Sequence, residues 1–200
     1  MLEVDEESRL GRELIAGGTR YHAHFVPDDA ATADFYLQAC ETLNSAGIAQ
    51  YEISNFARPG GESRHNLKYW TRQPYLGFGV DAHSMLPSAS SDEATRFAAP
   101  DSLDAYMNRA PHTVTAVSRH AAIEETFFLG LRLNRGINLD AMRTNFSPSA
   151  IAPFELVINE CLDQELLHGR EANIRLTEKG RLLSNEVFAR FLLEDALSQS

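Results

Sequence analysis

The chain has 200 residues, with 28 acidic against 18 basic side chains, a net charge of -10 and 44% hydrophobic content. That is the make-up of a globular protein of one large or two small domains, able to bury a core without staples and too apolar to stay disordered. The charge repels phosphate backbones and argues against a nucleic-acid partner, no apolar run is long enough to span a bilayer, and the acidic opening MLEVDEESRLGREL lacks the order of a signal peptide, so a cytoplasmic protein without a transmembrane segment is expected.

A chain does not normally open in the middle of a buried strand, so the apolar run MLEV suggests that the sequence begins inside a longer protein. Residues 13–29, ELIAGGTRYHAHFVPDD, read as loop, punctuated by Gly17-Gly18 and ended by Pro27. Asp28 and Asp29 can cap a helix whose stripe is Tyr36, Cys40 and Leu43, with Gly47 as its stop. IAQYEISNF, rich in β-branched and aromatic residues, predicts a strand, and helix followed by strand gives the first part an α/β rhythm. Residues 86–102, small, polar and carrying two prolines, read as a loop or domain boundary.

Beyond that stretch the pattern turns mainly helical. One helix places Ile123, Phe127 and Leu131 on a face, and a second places Ile151, Phe154, Ile158, Cys161, Leu162 and Leu166, with Pro153 near its first turn and Gly169 as its stop. A short strand, NIRLT, follows, and Thr177 can cap a last helix that turns Leu182, Leu183, Val187, Phe188 and Phe191 inward. Helix, helix, short strand, helix is a winged-helix-like outline. A nucleic-acid role for it is disfavoured, because KGRLLSNEVFARFLLED carries few basic residues mixed with acids.

The chemistry-bearing residues concentrate in residues 63–85, SRHNLKYWTRQPYLGFGVDAHSM. In HNLKYW, a neutral imidazole at His65 can ligate a metal, Asn66 can brace a loop, and Tyr69 and Trp70 offer flat faces with polar tips. Histidine beside aromatic planes suits a flat macrocycle such as haem, with one axial bond from the imidazole. The same residues also suit plain core packing around a structural histidine. Gly77 and Gly79 permit close backbone approach, without the third glycine of a dinucleotide-binding turn. Asp81 and His83, two apart, would share a face on a strand, as would His22 and His24, which are read as surface histidines. Cys40 and Cys161 make neither a disulfide framework nor a zinc knuckle, and buried free thiols are expected.

The stretches LEVDEESRLG, YEISNFARPG, HNLKYW and PYLGFGVDAHSM, together with EETFFLGLRLNRGINL and RLTEKGRLL, closely resemble the HemW-type haem chaperones, members of the radical S-adenosylmethionine (SAM) group together with the HemN-type oxygen-independent coproporphyrinogen III oxidases. The resemblance runs in order through nearly the whole chain. It implies the C-terminal part of an incomplete (β/α) radical SAM barrel over residues 1–90, then a HemN-type helical, winged-helix-like C-terminal domain over 91–200. It implies a haem-binding protein that holds haem and passes it to haem-accepting proteins, with His65, Asn66, Tyr69 and Trp70 as an intact HNxxYW haem motif and His65 as the metal ligand. It places His83 towards the SAM pocket. The family's four-iron four-sulfur cluster needs a CxxxCxxC set that Cys40 and Cys161 do not supply, so no cluster is expected on this chain, which alone should be inactive as an enzyme. The alternative is a fragment of a porphyrinogen-decarboxylating oxidase. Ser63 stands where many relatives have cysteine.

Overall fold

The computed structural model describes residues 8–17, 27–88, 94–170 and 172–193. MLEV, His22 and His24 lie outside the described residues. The chain forms two compact units, Met1–Gln50 with Ser54–Gly60, and Tyr51–Ile53 with Gly61–Ser200.

In the first unit, helix α1 (Arg9–Ile15) precedes helix α2 (Asp29–Ser45). The expected loop therefore starts later than Glu13, because Ser8 accepts from the Gly11 N–H and starts a turn of helix before Gly17 turns at φ 99°. Asp28 caps α2 by accepting from the Ala31 N–H at 2.8 Å, and Gly47 at φ 74° follows its end, both as the sequence indicates. Tyr36, Cys40 and Leu43 are only half-buried, and none of the described residues of α2 is fully buried. The strand expected over IAQYEISNF is broken into β1 (Ala49–Glu52) and β2 (Asn55–Ala57) by a turn at 53–54.

The described buried apolar core lies in the second unit. Helix α3 (Arg64–Trp70) comes first, then an antiparallel meander of β3 (His83–Pro87), β4 (Ala94–Ala98) and β5 (Thr113–Val117), with helix α4 (Leu103–Met107) between the last two. The polar stretch 86–102 is thus not simply a loop. β4 pairs along its whole length with both neighbours, which satisfies its backbone despite a composition rich in small residues.

Helix α5 (Arg119–Gly130) carries Ile123 and Phe127 inward, and Leu131 continues the face, with exposures of 2%, 0% and 0%. There follow β6 (Ile137–Asn138), α6 (Leu139–Phe146), α7 (Pro148–Ile151), a 3-10 turn (Ala152–Phe154) containing Pro153, α8 (Glu155–Asp163), β7 (Leu167–Arg170) and β8 (Asn173–Leu176). The last three strands form an antiparallel sheet in the order β6-β8-β7. Gly169 does not stop α8. The helix ends at Asp163, Glu165 takes the left-handed turn at φ 58°, and Gly169 lies inside β7. Thr177 caps α9 (Glu178–Leu182), its hydroxyl accepting from the Gly180 N–H at 2.9 Å. Gly180 is needed there, since a Cβ would meet the Leu166 carbonyl. The expected last helix breaks at Leu183, whose side chain is exposed, and resumes as α10 (Ser184–Ala189), with Val187 and Phe191 buried.

Candidate functional site: the helix Arg64–Trp70

Ser63 starts α3 by accepting from the Asn66 N–H at 3.2 Å, and its own N–H donates to the Tyr51 hydroxyl at 3.4 Å. Asn66 therefore sits in a helix rather than bracing a loop. Helical spacing puts His65 and Tyr69 on one side and Asn66 and Trp70 on the next. His65 is exposed, and its ring lies edge-on to Tyr69 with centroids 4.9 Å apart. Tyr69 in turn meets Tyr75 edge-on at 4.6 Å. The result is a row of three rings that begins at an exposed imidazole and runs inward.

Burial chiefly raises the pKa of Tyr75, Arg96 partly offsets this, and Tyr69 and Glu125 add to it. A folded-state value above the unfolded one means that the contribution of Tyr75 to stability is complete below about pH 10 and is lost as pH rises beyond it. Alkaline titration of the phenolate absorbance should therefore show a late component from Tyr75, and Tyr75→Phe should remove it. An unchanged titration curve in the variant would contradict the assignment.

Trp70 turns the other way. The Arg132 guanidinium lies over its ring, 4.3 Å from the centroid, and Arg132 Nη2 stands 3.8 Å from the fully buried Glu52. The Trp70 Nε1 is buried without a hydrogen-bond partner among the described residues. Beside Trp70 lies a cleft of about 210 Å³, walled by Leu133, Ile137, Met142 and Phe146. Ligand pockets usually measure roughly 300–1,000 Å³, so this cleft is too small to enclose a macrocycle.

Two residues past Trp70, Arg72 leaves the helix end at φ 49° and its Nε donates to Glu125 Oε2 at 2.9 Å, while Arg96 Nη2 reaches Oε1 at 2.7 Å. Glu125, only 6% exposed on α5, thus ties the end of α3 to β4. An acid in the polar run IEET gives no sign of this from sequence, and neither does Arg132.

The glycine stretch serves its own chain. A Cβ at Gly77 would meet the His83 carbonyl, and the Gly77 N–H donates to Ser84 Oγ at 3.0 Å. Asp81 lies in a turn at φ 57°, not on a strand, so it does not share a strand face with His83. The backbone carbonyl of Asp81, not its carboxylate, meets His83 Nδ1 at 3.0 Å, and His83 is exposed at the start of β3. Leu76 and Phe78 are exposed, at 61% and 87%.

Among the described residues no three His, Cys, Asp or Glu side chains cluster as a metal site. A single imidazole such as His65 would supply one bond to an iron. Cys161 is buried beside Arg190, its pKa raised by burial, while Cys40 is half-buried on α2. No helix among the described residues is long and apolar enough to cross a membrane.

Comparison with known proteins adds three findings. Residues 117–183 match the HemN C-terminal domain family. The haem chaperone HemW of Bacillus subtilis is 35% identical over 172 residues, which cover 84% of this chain and 45% of that protein, and HemW of Lactococcus lactis is 33% identical, covering 85% and 44%. The coproporphyrinogen III oxidase HemN of Escherichia coli, described as a radical SAM enzyme, shares the fold with a TM-score of 0.61 and 18% identity, over 82% of this chain and 42% of that one. The chain spans less than half the length of these relatives.

Proposed function

The chain belongs to the HemW/HemN-like radical SAM family, matching its C-terminal portion, and on that premise we propose that it binds haem on α3 in the manner of a HemW-type chaperone and passes it to haem-accepting proteins in the cytoplasm. The observation that carries this reading is the exposed His65 at the head of the Tyr69–Tyr75 row. An imidazole on an open helix face can bond an iron in a planar cargo from one side, while the ring of Tyr69, itself packed against Tyr75, limits how that imidazole turns. A donor outside any enclosed cavity also suits a cargo that must leave again.

Asn66, in the helix beside His65, and Trp70, below it, complete the proposed haem motif, with His65 as the metal ligand. His83 is kept as a SAM-side residue, and residues 1–90 and 91–200 as the barrel portion and the winged-helix-like domain. For the latter, the order α5, β6, α6, α8, β7, β8 with the sheet β6-β8-β7 is the supporting feature. The four-iron four-sulfur cluster and SAM belong to this reading only as family chemistry, since a thiolate set would need more than Cys40 and the buried Cys161. Likeness to the oxidase is a likeness of fold at 18% identity and does not favour decarboxylation by this chain.

Haemin titration tests the proposal. The parent chain should give a shifted Soret band, and His65→Ala, checked for unchanged circular dichroism, should bind at least about tenfold more weakly, the equivalent of ~1.4 kcal/mol. His168→Ala, altering another exposed histidine, should bind like the parent. A folded His65→Ala chain with parental affinity would make His65 a structural residue and sink the reading.

A further inference from the structure

We propose that Arg132 is a positioning residue for α3, fixing through Trp70 the direction in which His65 is presented; this rests on the haem reading above. Arg132 does not touch the imidazole. It acts at the other end of the helix, where its guanidinium lies over the Trp70 ring at 4.3 Å with the Phe188 ring 5.9 Å away. The short helix has little hold of its own, for seven residues are too few to be stable without tertiary contacts. It is gripped at both ends by one supporting layer. At the start, the Tyr51 hydroxyl accepts from Ser63, the capping residue. At the finish, Trp70 lies under Arg132.

Those two grips are coupled. Glu52 and Leu133 form an antiparallel bridge, the Ile53 N–H donates to the Arg132 carbonyl at 3.1 Å, and the Asn134 N–H donates to the Tyr51 carbonyl at 3.0 Å. The segment Tyr51–Ile53 and the segment Arg132–Asn134 therefore form one backbone clamp, and the Glu52 carboxylate near Arg132 Nη2 adds a charge within it. A cation over an indole face prefers a defined plane, and the preference strengthens as water is excluded. With the indole plane set, the rotation of α3 about its axis is set, and with it the direction of His65 about 1.4 turns earlier.

The lone tryptophan of the chain allows a test that needs no haem. In Arg132→Met the indole should lose its cation, giving a shifted emission and faster quenching by acrylamide, and Arg132→Lys should recover part of the parental behaviour. With haemin, Arg132→Met should bind roughly three- to tenfold more weakly and show a mixture of spin states where the parent shows one, with Lys again between the two. If Arg132→Met does not fold, Arg132→Gln replaces it, and a parental spectrum and affinity in that variant would overturn the proposal. So would an Arg132→Met chain that matches the parent in haem spectrum and affinity, or a Lys variant no better than Met. If His65→Ala binds as the parent does, the haem reading itself fails. If His65→Ala loses binding while Arg132→Met keeps it unaltered, only the positioning role fails.

Discussion

Glu125→Ala should destabilise the second unit by about 3 kcal/mol, read by urea denaturation followed through Trp70 emission. Its side chain is 8% exposed, and its carboxylate accepts from Arg72 at 2.9 Å and from Arg96 at 2.7 Å. Removing it leaves the Arg72 guanidinium, itself 15% exposed, without its counter-charge in a low-dielectric setting. Breaking a buried pair from one side typically costs roughly 3–5 kcal/mol. The lower end is expected here, because Arg96 is 43% exposed and can turn to water. For the same reason Arg96→Ala should cost no more than ~1 kcal/mol. The triple replacement Arg72→Met, Glu125→Leu, Arg96→Met should recover much of the loss, since an apolar cluster of similar volume often matches a buried ionic one. A Glu125→Ala chain within ~0.5 kcal/mol of the parent would show that the cluster is solvated and holds nothing together.

This cluster also marks where the sequence stops being legible. Caps could be read in advance, because an N-cap is a local event. Asp28 and Thr177 do what their side chains can do within three residues. The inward face Ile123, Phe127, Leu131 was equally readable, since helical periodicity is local too. β4 was hidden for the opposite reason. ATRFA has no strand signature of its own and is ordered by pairing with β3 on one side and β5 on the other. Gly169 misled because a glycine can end a helix or lie in a strand, and here Glu165 took the left-handed turn four residues earlier.

The candidate site divides along the same line. His65, Asn66, Tyr69 and Trp70 could be named from HNLKYW because the chemistry is contained in six consecutive residues. That they form a helix, with His65 on one side and Trp70 on another, could not be read from them alone. The orientation depends on Tyr51, Arg132 and Glu125, which lie between 12 and 62 residues away in sequence and are ordinary residue types whose partners no local pattern names.

Phe127→Ala should have the largest effect of any single truncation considered, about 3–5 kcal/mol of stability in the second unit, measured by the same urea experiment. Phe127 is fully buried on α5. Its ring stacks on Phe154, from the 3-10 turn, with centroids 4.8 Å apart and planes at 28°, and on Phe191, beyond α10, at 4.8 Å and 19°. Three segments distant in sequence thus meet through one side chain. Truncation removes the transfer free energy of the ring, both stacking partners and the packing on each side, and opens a cavity walled by two aromatic faces. Phe127→Leu keeps most of the volume and should cost roughly 1.5 kcal/mol or less. The difference between the two variants is the informative quantity, because it isolates the cavity from the loss of stacking. The apolar walls should keep the Ala cavity dry and let it take up benzene, raising the midpoint of Phe127→Ala and leaving that of the parent unmoved. Equal losses in the Ala and Leu variants would mean that stacking geometry, and not filled volume, is what Phe127 contributes.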